Sequence, residues 1–199
     1  MTDPIDLAAL IGSRICHDLI SPIGAIGNGV ELLMLDGAGH GPEMALIAQS
    51  VTHANARIRF FRVAYGIAST DQRIARSEVQ SILADMTRGG RLVIDWDSAN
   101  DLSRAEVKLT FLLLQCLETA MITGGRITVV QGDTGWTMTG TAQRLKLDTP
   151  GWALLTDPAA TVPDLTPGHV QFALVLPELT RLGRGLTVSL GEGMISFTF

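Results

Sequence analysis

Cysteine is nearly absent from this chain of 199 residues: there are two, Cys16 and Cys116, a hundred positions apart and without any CxxC spacing. That excludes a disulfide framework and gives no zinc-site pattern, so both are expected as reduced, half-buried thiols. Basic residues are also in the minority. Fifteen Lys and Arg stand against twenty Asp and Glu, for a net charge of -5. Without a dominant cationic face the chain is not built to bind a phosphate backbone, and nucleic acid is excluded as a partner. Long apolar runs are missing too. The opening MTDPIDLAAL has no basic stretch followed by an apolar one, and no run approaches membrane-spanning length, so no membrane contact and a cytoplasmic location are expected.

What is present is a 46% hydrophobic chain, ample for a packed core. In the first forty residues the apolar positions Leu7, Ile11, Ile15, Leu19, Pro22, Ile26, Val30 and Leu33 recur in steps of three and four, which predicts one long helix. Gly37, Gly39 and Gly41 stop it, and Pro42 with Glu43 opens a second. That helix repeats the pattern through Ile47, Val51, Ala54, Ile58, Phe61 and Tyr65 and fades near "GIASTDQR". Residues 1–72 thus read as a helical hairpin. Such a hairpin buries its seams poorly alone, so a homodimer forming a four-helix bundle is expected; packing only against its own chain is the alternative.

Residues 73–199 change character. A helix in "SEVQSILADMT", a strand in "GRLVIDWD", an apolar helix in "SRAEVKLTFLLLQCLETAM" and strands "GRITVVQ" and "WTMTGTAQRLKL" about the turn "GDTG" alternate as an α/β sandwich. A Pro-rich stretch from Thr156 to Pro167, a helix opened by Thr166 and Pro167, and the pair "GLTVSL" and "MISFTF" about "GEG" complete it. The overall class is α+β. Trp96, Trp136 and Trp152 fall in or beside expected strands and are assigned to the core.

The chemistry concentrates in "SRICHDLISPIGAIGNGVELLMLDG". With successive helix residues about 100° apart, His17 lies opposite the Ile15/Leu33 seam, together with Ser13, Gly24 and Asn28, and should face solvent. Glycines 24, 27 and 29 each cost roughly 1 kcal/mol against alanine in a helix, and Pro22 removes a donor. The segment gives up helical stability and leaves room for another protein beside the imidazole. A neutral imidazole is nucleophilic at neutral pH and can accept a phosphoryl group. Asp18 can hold its Nδ1 proton, leaving Nε2 to attack, and Arg14 can offset incoming negative charge. An exposed histidine of no consequence remains the alternative on these grounds.

His17, Asp18, Leu19, Ser21 and Pro22 match the H-[ED]-L-x-[ST/N]-P box of two-component histidine kinases, and "SRICHDLISPIGAIGNGVELL" resembles the ChpT-type histidine phosphotransferases of alphaproteobacteria. The resemblance runs over the whole chain. It implies a dimerising hairpin followed by a degenerate kinase-like ATP-binding domain. It also implies a cell-cycle phosphorelay, in which His17 takes a phosphoryl group from the receiver of a CckA-like hybrid kinase and hands it to CtrA-like or CpdR-like response regulators. Ser21 holds the position that in kinases orients water for dephosphorylation, and a backbone-bonding role near Pro22 is the bland alternative. Ser13, Arg14, Ser21, Gly24 and Asn28 are expected to dock a receiver or line the site.

The kinase nucleotide boxes can be sought directly. In "LLLQCLETAM" the two asparagine positions hold Gln115 and Thr119. Asp133 and Gly135 come one strand too early for the acidic loop and have turn composition, while "RLGRGL" reads as an ordinary turn. The expectation is therefore no ATP and no metal of the chain's own, with Mg2+ carried by the partner receiver. An ATP-dependent kinase and a non-catalytic scaffold are the rival readings. Of the other histidines, His40 sits in the Gly-rich loop, His53 near the second helix's seam, and His169 at the start of the late helix; none has an acid box around it.

Overall fold

The computed structural model describes residues 6–36, 42–69, 71–147, 151–157, 159–161 and 165–199. Two long helices come first, α1 (Leu7–Asp36) and α2 (Pro42–Ala64). Helix α1 runs unbroken through Pro22 and its glycines. Gly29 shows why one of those glycines is needed: a Cβ there would lie 2.5 Å from Cγ1 of Ile47, so the helices cross closely at this point. At Gly24 and Gly27 a Cβ would meet nothing within 4 Å, which is the open surface the sequence suggests. The stop glycines at 37, 39 and 41 and His40 lie outside the described residues.

The seams are partly uncovered in the single chain. Val30, Val51 and Ile58 are exposed, as are Ile20, Ile23 and Met44. Periodicity identifies an apolar face without saying what covers it. The inward face of α2 is carried by Ala54, Ala56, Phe60, Phe61, Val63 and Ala64.

The second half contains β1 (Arg73–Ala75), α3 (Arg76–Thr87), β2 (Leu92–Asp97), β3 (Asp101–Ser103), α4 (Arg104–Ala120), β4 (Gly125–Gln131), β5 (Trp136–Thr141), α5 (Gly151–Thr156), a 3-10 turn (Pro167–His169), α6 (Val170–Leu182), β6 (Thr187–Gly191) and β7 (Met194–Thr198). The main sheet has the order β2-β4-β5-β7-β6, with β2 and β4 parallel and the remaining pairs antiparallel. Alternation sorts its faces. Ile127, Val129, Met138, Ile195 and Phe197 point into the core, while Thr128, Thr137 and Thr198 point out.

Two local expectations are corrected, and one pair of strands is new. The short β1 and β3 pair antiparallel as a separate two-stranded sheet. The strand beginning at Trp136 ends at Thr141 and does not reach Leu147. Trp152 is buried as expected, but it belongs to helix α5, edge-on to Phe172 of α6 and stacked on Phe197 of β7.

Helix α4 is the centre of the molecule, with an unbroken buried run from Leu109 to Leu117. It touches the sheet on one side and both α2 and α6 on others. Phe60 of α2 stacks on Phe111 of α4 at 4.6 Å between ring centroids, a contact of about 0.5–1.5 kcal/mol beyond the area it buries. Tyr65 just past α2 donates its hydroxyl to Oε1 of the buried Gln115 at 2.6 Å, and Arg104 donates to the carbonyl of Arg62 at 2.7 Å. The hairpin is thus packed onto the α/β half through α4.

Candidate functional site

His17 stands near the middle of α1 with its side chain 84% exposed, and Asp18 beside it is only 9% exposed. The difference follows from the helix: adjacent residues point about 100° apart, so one faces solvent while the next turns under the hairpin. Nδ1 of His17 lies 3.1 Å from Oδ1 of Asp18. A carboxylate only accepts, so this contact selects the tautomer with hydrogen on Nδ1 and leaves the Nε2 lone pair towards solvent.

The second carboxylate oxygen is also committed. Oδ2 of Asp18 accepts from Nε of Arg14 at 3.1 Å and from Nη1 of Arg57 on α2 at 3.0 Å. Arg14 is therefore not beside His17 on the solvent face. It turns inward, and its Nη1 donates at 2.6 Å to the carbonyl of Gly168 in the 3-10 turn before α6. Its influence on His17 runs through Asp18. Arg57 was missed by the sequence reading, since its partner lies 39 residues away. The available signal was a guanidinium three residues after Ala54 on an otherwise apolar seam.

Ser13, Ser21, Gly24 and Asn28 are all exposed, as His17 is. Their spacing of three, four or eight residues keeps Ser13, His17, Ser21, Gly24 and Asn28 along one stripe of α1. Beside that stripe opens a groove of about 610 Å³ between the hairpin and the end of α3, lined among others by His17, Ser21, His53, Arg57, Met86 and Arg88. His53 is half-buried there, and its Nε2 has no hydrogen-bond partner among the described residues. His169 lies elsewhere. Its Nδ1 is 3.1 Å from Oγ1 of Thr166, and partial burial with nearby Arg14 and Lys146 lowers its pKa.

The positions that would be asparagines in a kinase are occupied internally. Gln115 accepts from Tyr65, whose hydroxyl burial pushes its pKa up to about 12, and Thr119 donates to the carbonyl of Cys116 at 2.7 Å. Asp133 and Gly135 sit in the β4–β5 turn, which Gly132 closes through its N–H to the Gly135 carbonyl at 2.8 Å. "RLGRGL" is the end of α6, where Gly183 takes the left-handed cap with φ +64°. The cysteines are one exposed, Cys16, and one fully buried, Cys116, rather than both half-buried; burial raises the Cys116 thiol well above its ordinary value. Among the described residues no cluster of three or more His, Cys, Asp or Glu side chains is placed to hold a metal, and no helix is long and apolar enough to cross a membrane.

The family model of the histidine phosphotransferase C-terminal domain matches residues 76–193. The chain belongs to that family. A solved structure described as a bacterial phosphotransferase superposes over 100% of this chain and 97% of its own with a TM-score of 0.81 and 31% identity. The protein phosphotransferase ChpT of Brucella abortus (strain 2308) is 40% identical over 127 residues, which is 63% of this chain and 60% of that relative. The expected ChpT-type resemblance and the α+β class, with helices first and an α/β sandwich after them, are both borne out. The family match lies on the α/β half, whereas the exposed imidazole and its acid lie on the hairpin.

Proposed function

We propose that this chain is a histidine phosphotransferase that relays a phosphoryl group between receiver-domain aspartates through Nε2 of His17. The observation that carries the reading is the pairing of an exposed imidazole with a nearly buried carboxylate at 3.1 Å. In the transfer, the Nε2 lone pair forms a bond to phosphorus as the P–O bond to the donor's aspartyl carboxylate breaks, and the electron pair leaves with that carboxylate. The ring becomes cationic. Its Nδ1 proton stays between His17 and Asp18, where the carboxylate stabilises the new charge. The reverse sequence discharges His17 onto an acceptor aspartate.

The stripe of Ser13, Ser21, Gly24 and Asn28 is the receiver-docking face, with Mg2+ held by the receiver itself. The donor is a hybrid kinase of the CckA-like kind and the acceptors are CtrA-like and CpdR-like regulators, in a cytoplasmic relay. The engagement of Gln115 by Tyr65 supports transfer from a protein donor over autophosphorylation from ATP. Ile20, Ile23, Val30, Met44, Val51 and Ile58, all exposed in the single chain, support a second copy packing on the hairpin to make a four-helix bundle.

The test is transfer from a phosphorylated receiver to the wild type and to His17→Ala. An acid-labile, base-stable label confined to the wild type is the expected result. Equal labelling of both proteins refutes the role of His17, and labelling by ATP alone refutes the dependence on a protein donor.

A further inference from the structure

An imidazole that is 84% exposed has little packing to hold it still, yet transfer to Nε2 needs the ring to present one nitrogen in one direction. The ring's hydrogen-bond partner is Asp18. Its orientation is therefore only as well defined as that carboxylate, and the carboxylate is gripped from two sides. Arg57 reaches it from α2 at 3.0 Å and Arg14 from one turn earlier on α1 at 3.1 Å, both on Oδ2, so Oδ1 is left for His17. Arg14 is not placed for this purpose by its own helix alone. Arg14 is drawn inward by the Gly168 carbonyl at 2.6 Å, a group supplied by the α/β half.

A second carboxylate completes the cluster. Glu118 on α4 is half-buried, and burial raises its pKa while Arg57 and Arg14 draw it back.

We infer that Arg57 and Arg14 are positioning residues for phosphotransfer, a two-armed clamp on Asp18 that fixes the His17 tautomer and ring, with Arg14 carrying the hold of the α/β half to the site. The inference rests on the proposed role of His17 and adds to it a purpose for the 3-10 turn at Gly168. It gives the α/β half a part in the chemistry that requires no nucleotide.

The test uses Arg57→Met, Arg14→Met and the conservative Arg57→Lys in the full chain, with folding checked by circular dichroism. Two readouts are taken: the ring nitrogen shifts of His17 in 15N NMR on the protein alone, and the single-turnover rate of transfer from a phosphorylated receiver over a range of receiver concentrations. The expected result is a shift from the Nδ1–H tautomer towards a mixture. The saturated rate should fall roughly tenfold to a hundredfold with little change in half-saturation, and Arg57→Lys should recover part of both. Unchanged tautomer and rate in folded variants overturn the clamp. A change confined to half-saturation also overturns it, making Arg57 a docking group. Should Arg14→Met not fold, the more exposed Arg57 variants decide the matter. Because the NMR readout needs no phosphate, a wild type that never accepts a phosphoryl group defeats the relay and is distinguishable from failure of the clamp.

Discussion

The hydroxyl of Tyr65 donates to Oε1 of Gln115 across 2.6 Å, joining the foot of the hairpin to the helix that runs through the heart of the α/β half. Gln115 is 2% exposed and its amide nitrogen has no partner among the described residues, so the bond to Oε1 is what this side chain has in place of water. Tyr65→Phe should therefore cost about 1–3 kcal/mol, read by urea denaturation, because a buried acceptor is left unpaired. A variant as stable as the wild type would show that the contact does not bind the two halves.

Two glycines on one helix should respond in opposite directions. Gly29→Ala places a methyl group 2.5 Å from Ile47 and should destabilise the hairpin by about 1–3 kcal/mol. Gly24→Ala meets nothing within 4 Å and should gain up to about 1 kcal/mol of helix stability. Thermal melts of the two variants side by side check this.

The exposed apolar residues of the stem predict its assembly. Val51→Glu with Ile58→Glu puts two charges on a face of α2 that the chain itself leaves uncovered. Sedimentation should then report a dimer for the wild type and a monomer for the double variant. A wild type that sediments as a monomer would remove the four-helix bundle from the proposal.

His169 gives the fold a dependence on pH. Burial, Arg14 and Lys146 lower its folded pKa below the ordinary 6.5, so the unfolded chain binds the proton more readily. The contribution is complete above that ordinary value and is lost as pH falls through the lowered one. Replacing His169 by Asn should flatten the loss of stability below pH 6.5, measured by denaturation at a series of pH values.

The long elements were legible because their patterns repeat. Helices α1 to α4 and the strands at Ile127, Met138 and Phe197 each contain enough turns or alternations for the period to be read. What escaped was either too short or too distant. Arg73–Ala75 and Asp101–Ser103 have three residues each and pair only with one another, so no period could announce them. Gly151–Thr156 is a six-residue helix whose reason to form is the burial of Trp152 against α6, a tertiary cause. The site divided in the same way. His17, Asp18 and the exposed stripe follow from spacing on one helix, but Arg57 and Gly168 are 39 and 154 residues from the groups they hold. The same limit applies to Val30, Val51 and Ile58, whose apolar character is plain and whose covering surface is not.

The stacking of Phe60 on Phe111, reinforced by Tyr65 and Arg104, ties the stem to the sandwich at the foot of α2. Heating should melt both halves in one calorimetric transition, since neither can loosen without exposing the other's aromatic rings. A kinase that phosphorylates its own histidine has to carry a nucleotide-loaded domain to that residue. In the proposed relay a stem and sandwich that move as one body have no such journey to make, and the travelling falls to the visiting receivers.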